Sequence, residues 1–229
     1  MLQLDGRGKR VLIISDLHIP YSVEGYFRFL DTVNKKFKPD LVINIGDELD
    51  YHAMSFHDSD SELFSASNEL DRAIIEIQEG LHKLFPKMYL LESNHGSMIL
   101  RRAKHHGIPI RTLRPLHELY ETPLWEWHES IVLRTTRGYV YLCHGKSGAY
   151  GRLTKEVGLS TIQGHFHGKF EITYHRGALN TRYSMFVGCL VDTKSLAMAY
   201  GRNNVVQPIL GCGGIKSNGE PFLIPYTKV

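Results

Sequence analysis

The sequence is poor in cysteine. Cys143, Cys189 and Cys212 are its 3 cysteines and form no CxxC pair, which argues against a disulfide framework and a thiolate zinc site and leaves reduced, mostly buried thiols as the plain reading. Long apolar runs are also missing: none approaches the roughly 20 residues that span a bilayer, so a soluble chain with no membrane association is expected. Met1–Arg10 lacks a basic start followed by an apolar core, so no secretory leader is visible and a cytoplasmic location is the expectation. Charge of one sign is lacking too, since 27 Lys and Arg stand against 24 Asp and Glu for a net charge of +3. That is too near balance to indicate nucleic-acid binding by the chain as a whole. There is no internal repeat, low-complexity segment or long Ser/Gly linker.

What is present is ordinary globular usage, 42% hydrophobic and 22% charged over 229 residues, within the range of one domain. Residues 1–229 are therefore read as a single domain, with no obligate protein partner evident. Val11-Leu12-Ile13-Ile14 is a short apolar run suited to a buried strand. From Val23 to Phe37, the spacing of Tyr26, Phe27, Leu30, Val33 and Phe37 predicts a helix, and Pro39 precedes a second strand at Leu41–Ile43. A long helix is expected from about Ser67 to Phe85 and a third strand at Met88–Leu91. Alternating strands and helices with polar residues at the strand ends point to an open α/β sheet whose ligands bind beyond those ends. The second half has short β-rich runs at 130–133, 139–143, 160–163, 170–174 and 183–187, expected to form a second sheet. The glycine- and proline-rich tail from Gly201 reads as loops and edge strands.

The polar residues at these ends form a pattern. Asp16-Leu17-His18 places two donors two residues apart, which on an extended segment points both side chains the same way. Asp47 follows Gly46, which would let the backbone turn sharply, and Asp47 is the choice to bridge two metals. Asn94-His95, His144-Gly145 and Gly164-His165-Phe166-His167 complete a set of carboxylate, amide and imidazole donors suited to Mn, Fe, Zn, Co or Ni.

In that order the motifs resemble the calcineurin-like metallophosphoesterase superfamily, with its D-x-H, G-D-x-x-D, G-N-H-D/E, isolated H and G-H-x-H, over roughly residues 9 to 170. The resemblance implies an α/β fold, a four-layer αββα sandwich of two mixed β-sheets flanked by helices. It implies that Asp16, His18, Asp47 and His167 hold one divalent ion, that Asp47, Asn94, His144 and His165 hold a second, with Mn the first choice, and that His95 is catalytic. A hydroxide shared by the ions would then attack phosphorus. One departure stands out: Ser93 and Gly96 occupy the positions where the wider family has Gly and an acid that orients the histidine, so His95 needs another partner, a backbone carbonyl or Asp50. In motif style, the stretches around Asn94, His144-Gly145-Lys146 and His165 resemble phosphoesterases encoded by bacteriophages, which implies a viral origin and a host cytoplasm.

The G-H-x-H ending resembles the phosphodiesterase and nuclease branches, so a phosphodiesterase or nuclease-like enzyme is the leading expectation. A phosphomonoesterase acting on nucleotides or small metabolites is the alternative, and a non-catalytic binding module a third. From Ser97 to His117 the charged residues Arg101, Arg102, Lys104, Arg111 and Arg114 are all basic. This stretch, within a small basic cap-like insertion near 97–128, would suit a nucleic acid or nucleotide. Arg101, Arg102 and Lys146 are the candidate substrate-binding residues. The other reading is a solvated helix face balanced by Glu118, Glu121, Glu126 and Glu129. Trp125 and Trp127 fit a hydrophobic cap better than a base-stacking platform. His52 and His57 are candidates to line the cleft, whereas His82 and His175 suit ordinary hydrogen bonding.

Overall fold

Val11 to Ile14 are all buried because their strand is covered on both faces. A computed structural model of the chain describes residues 1–55, 62–195 and 205–228. In it β2 (Val11–Ile14) alternates, with Val11 and Ile13 in one apolar cluster and Leu12 and Ile14 in another. β3 (Leu41–Asn44) and β4 (Met88–Leu91) repeat that alternation. A strand clad on both sides reads as an unbroken apolar run, which is why these three were legible.

One cluster packs this sheet against α1 (Tyr26–Phe37) and α2 (Ala66–Glu76). Tyr26, Phe29, Leu30 and Val33 form the buried stripe of α1; Phe29 thus replaces the expected Phe27, whose ring lies over Gly80. The oxygen of Ser65 accepts from Asn68 N and caps α2. The helix expected to run to Phe85 continues through a π turn at Ile77–Leu81 and α3 (His82–Leu84), the wider turn coinciding with the contact of Phe27 on Gly80.

The second cluster joins this sheet to the other. It contains Ile131 and Leu133 of β6 (Ile131–Thr135), Val140 and Leu142 of β7 (Gly138–Cys143), Ile162 of β8 (Ser160–Gln163), and Met185 and Val187 of β10 (Thr181–Val187). Burying each such side chain contributes roughly 1.5–3 kcal/mol. On the far face α6 (Arg152–Val157) packs its Thr154 hydroxyl 2.7 Å from that of Thr161. The layers are thus helix, sheet, sheet, helix, the expected four-layer α/β sandwich with a thin fourth layer.

With β1 (Leu2–Asp5), β5 (Trp125–His128), β9 (Phe170–Arg176), β11 (Gly211–Ile215) and β12 (Pro221–Pro225), the strand orders are β1-β6-β7-β8-β10-β9 and β12-β11-β2-β3-β4-β5, and both sheets are mixed. Two expectations are corrected. β11 lies inside its sheet between β12 and β2 rather than at an edge. Its glycines permit close packing: a Cβ on Gly214 would lie 2.7 Å from the Phe222 ring and 2.8 Å from Val11 O. Trp125 and Trp127 belong to edge strand β5, not to a cap; their indoles donate to Phe85 O at 2.9 Å and Glu48 Oε1 at 3.0 Å. The rest of the 97–128 segment holds α4 (Met98–His105) and α5 (Leu116–Leu119). The three cysteines are buried and unpaired. Among the described residues, no helix is long and apolar enough to cross a membrane.

Candidate metal centre

Five strands deliver the polar residues to one place. Asp16 and His18 follow β2, Asp47 follows β3, Asn94 and His95 follow β4, His144 follows β7, and His165 and His167 follow β8. The strands come from both sheets, so the residues meet in a crevice beyond the carboxyl ends, where open α/β sheets bind ligands.

The local backbone there is bent rather than extended. Asp16, His18, Asp47 and His165 have φ of 53°, 52°, 53° and 64°, a left-handed conformation that costs non-glycine residues on the order of 1–3 kcal/mol each. The extended D-x-H segment expected from the sequence is therefore corrected: both side chains reach the crevice through a pair of left-handed residues. Backbone bonds hold this shape, with Asp16 N donating to Gly46 O at 2.9 Å and His18 N to Asp47 O at 3.0 Å. Gly46 does make the turn before Asp47, at φ 111°, and a Cβ on it would lie 2.7 Å from His144 Nδ1. At Gly164 a Cβ would collide with Ser15 Oγ and Asp16 Oδ2, so that glycine lets the β8 loop close against the β2 loop.

Donor atoms converge in two adjoining groups, Asp16, His18 and His167, and Asp47, His144 and His165, and a third group, His18, Asp50 and His95, shares His18 with the first. In the first, His167 Nε2 lies 3.1 Å from Asp16 Oδ1 and 3.2 Å from His18 Nε2. In the second, His144 Nε2 lies 3.1 Å from Asp47 Oδ2 and 2.7 Å from Asn94 Oδ1, and His165 Nδ1 is 3.1 Å from that same oxygen. Asp47 Oδ2 is also 3.7 Å from His18 Nε2, so this carboxylate stands between the groups. Ligands bound at about 2.0–2.2 Å sit on the order of 3 Å from their neighbours in a tetrahedral or octahedral shell. These separations fit that spacing, and the mixture of imidazole, carboxylate and amide suits divalent transition metals.

Hydrogen bonds behind the donors fix their tautomers. His18 Nδ1 is 2.6 Å from Asp50 Oδ1 and His144 Nδ1 is 3.0 Å from Ile45 O. Each acceptor requires the proton on Nδ1 and turns the Nε2 lone pair inward. Burial pushes the pKa of Asp16 up, but bonds from His167 and His18 outweigh it and hold the carboxyl well below its usual range. For His144, burial lowers the pKa and the Asp47 carboxylate more than restores it, to about 9.

His95 stands beside these groups, its ring edge-on to His18 at a centroid distance of 4.6 Å. Its Nδ1 donates to the backbone carbonyl of Asp50 and lies 3.5 Å from Asp50 Oδ1. Both partners proposed for a histidine without the family's acid are thus supplied by one residue. Burial pulls the His95 pKa down, against the opposing charge of Asp47. Ser93, at the other altered position, accepts from Gly96 N at 3.1 Å and closes the turn that carries the histidine.

The basic candidates separate. Arg101 is exposed and donates to Asn94 O at 2.9 Å, beside the centre. Lys146 is exposed one residue past Gly145, and its backbone N donates to Gln163 Oε1 at 2.9 Å. Arg102 instead donates from Nε to Met54 O at 3.0 Å and from Nη2 to Ser55 O, so it is engaged with a neighbouring loop. His52 stacks edge-on against Tyr21, and His57 lies outside the described residues. Sequence reasoning missed Glu69, a buried carboxylate on α2 that accepts from His52 N and Ala53 N at 2.7 and 2.9 Å. Its helical register gave a signal, for it lies next to the apolar Leu70 and four residues before the buried Ala73, but a lone Glu on an amphipathic helix normally reads as solvent-facing.

The sequence profile described as calcineurin-like phosphoesterase matches residues 9–180. No curated protein matches the chain. Among solved structures, a novel archaeal phosphodiesterase is similar with a TM-score of 0.50 and 14% identity, covering 95% of this chain and 99% of that one. Vacuolar protein sorting 29 from Cryptosporidium parvum gives 0.49 at 15% identity, covering 94% and 95%. Yfce, a phosphoesterase from E. coli, gives 0.42 at 13% identity, covering 94% and 98%.

Proposed function

The chain belongs to the calcineurin-like phosphoesterase family, and from that premise we propose that it hydrolyses phosphodiesters with two divalent ions, manganese first among the candidates. Asp16, His18, Asp47 and His167 would hold one ion, and Asp47, Asn94, His144 and His165 the other. When bound, such ions supply positive charge that draws electron density from the phosphoryl oxygens and lowers the pKa of water.

The residues themselves set the rest. Asp16 and Asp47 bring two negative charges to the centre, so a doubly loaded site stays positive and favours an anionic ester. Asp50 and Ile45 keep His18 and His144 in the tautomer that presents Nε2. With His95 Nδ1 donating to a carbonyl, which can only accept, the proton that this histidine exchanges with the leaving oxygen is carried by Nε2. Arg101 and Lys146 would contact the ester beyond the reacting phosphate.

The observation that carries this reading is the convergence of seven donor residues from five strand ends at separations near 3 Å. A diester, rather than a monoester, is favoured by the G-H-x-H ending and by basic residues flanking the centre. Manganese-loaded protein should cleave bis-p-nitrophenyl phosphate faster than p-nitrophenyl phosphate. Asp47→Ala should lose both bound metal and turnover. Preference for the monoester would overturn the substrate class, and full activity in Asp47→Ala would overturn the metal assignment.

A further inference from the structure

We infer that Glu69 and Arg102 clamp the segment from Tyr51 to Ser55 from opposite sides and so position His95, in place of an acid that Gly96 cannot supply. The inference rests on the reading of His95 as the proton-exchanging residue.

A backbone carbonyl orients a histidine only as well as its own segment is fixed. Beyond Asp50 the chain passes through Tyr51 at φ 52° into a three-residue 3-10 turn, His52–Met54, a piece too short to hold itself. Glu69 supplies what the turn lacks. Its two carboxylate oxygens take the N–H groups of His52 and Ala53, donors at the start of the turn. Sequestering a carboxylate is unfavourable, and two backbone donors at 2.7 and 2.9 Å offset part of that cost.

Arg102 acts on the carbonyl end, donating to Met54 O and Ser55 O. It lies on α4, whose first residue, Met98, donates its N–H to His95 O at 2.9 Å. The imidazole stands on the turn bonded to the start of α4 and Arg102 on α4 itself, so Arg102 ties that element to the segment directly following Asp50, whose carbonyl is the imidazole's acceptor. Glu69 ties the same segment to α2. Upstream, Asp50 N donates to Ile19 O at 3.0 Å, so the Asp50 carboxylate that supports His18 has an anchor of its own. Loosening the clamp should therefore disturb His95 more than the metal ligands.

The test uses Glu69→Gln and Arg102→Met, which keep side-chain bulk, with His95→Asn as reference. Expected are wild-type metal content, a KM within about twofold, and near wild-type kcat on bis-p-nitrophenyl phosphate, whose leaving group needs no proton. On diesters with alkoxide leaving groups kcat should fall by about tenfold, a fraction of what general acid catalysis supplies. Combining Glu69→Gln with His95→Asn should add nothing to His95→Asn alone. An equal fall across leaving groups, additivity with His95→Asn, or loss of metal overturns the clamp. Should Glu69→Gln fail to fold, Arg102→Met decides. Wild-type protein that binds metal but cleaves no diester counts against the functional reading instead. In that case the His95 Nδ1 proton in zinc-loaded protein still reports on the clamp by NMR: exchange at least tenfold faster in both variants supports it, and unchanged exchange overturns it.

Discussion

Asp50 Oδ1 lies 2.6 Å from His18 Nδ1, and both side chains are fully buried. The contact assigns the imidazole proton to Nδ1 and leaves Nε2 to face Asp16, Asp47 and His167. Asp50→Ala strands that N–H and frees the ring to rotate. Metal affinity should fall by about 10–100-fold, the usual loss when the partner of a ligating histidine is removed. Because the backbone carbonyl at position 50 remains, excess metal should restore much of the turnover. Titration calorimetry with Mn and activity at saturating Mn check both parts, and wild-type affinity in the variant would remove Asp50 from the account.

Gly46→Ala joins two penalties, a left-handed φ of 111° and a Cβ 2.7 Å from both His144 Nδ1 and Ser93 Cβ. The backbone term alone is on the order of 1–3 kcal/mol, and relief of the clash must displace a histidine of the centre. The variant should unfold at lower denaturant than wild type and bind less metal. A melting curve unchanged by the substitution would show that the loop relaxes freely.

Much of this architecture was legible for a physical reason. Val11–Ile14, Leu41–Ile43 and Met88–Leu91 are buried on both faces, and such strands write themselves as apolar runs with polar ends. Ligand order along the chain survived because each donor sits within a few residues of a strand end. What stayed hidden depends on contacts distant in sequence. Gly213 and Gly214 read as loop or edge strand although they let Met185 and Phe222 pack onto β11 inside its sheet. Arg102 read as a substrate contact because charge shows in sequence while its two carbonyl partners do not. The orientation of Asp16 and His18 came from left-handed residues, and alternation along an extended strand had suggested the same convergence by a different geometry.

Metal and proton should compete at His144. Burial lowers the pKa of this imidazole, but Asp47 outweighs it and the value reaches about 9 without metal, above the ordinary 6.5. A histidine raised in this way stabilises the metal-free fold fully below pH 6.5, and the contribution is lost as pH rises through about 9. Ions must displace that proton and the one that, against burial, Asp16 and Asp50 favour on His18, so apparent affinity should climb by at least about tenfold per pH unit across this window. Calorimetry in buffers of unlike ionisation enthalpy would reveal the released proton at pH 7.5. Affinity independent of pH between 6.5 and 9 would contradict the charged His144.

Glu69 should make stability depend on pH in the opposite sense to an ordinary paired carboxylate. Burial raises its pKa from 4.5 to about 7, although the N–H groups of Ala53 and His52 favour the charged form. The folded state thus holds this proton more tightly than the unfolded chain does. The resulting stabilisation is complete below pH 4.5 and disappears as pH rises through about 7. A displacement of that size corresponds to about 3 kcal/mol. Glu69→Gln carries no such proton, and the other ionisable groups are common to both proteins. Subtracting the two unfolding free energies, measured in urea from pH 4 to pH 8, isolates the residue. The difference should shift in favour of the glutamine protein as pH increases, with most of the change between pH 5 and 7.5. A flat difference would mean that the two backbone bonds fully offset burial and that Glu69 is charged throughout; a shift towards wild type would mean that they more than offset it.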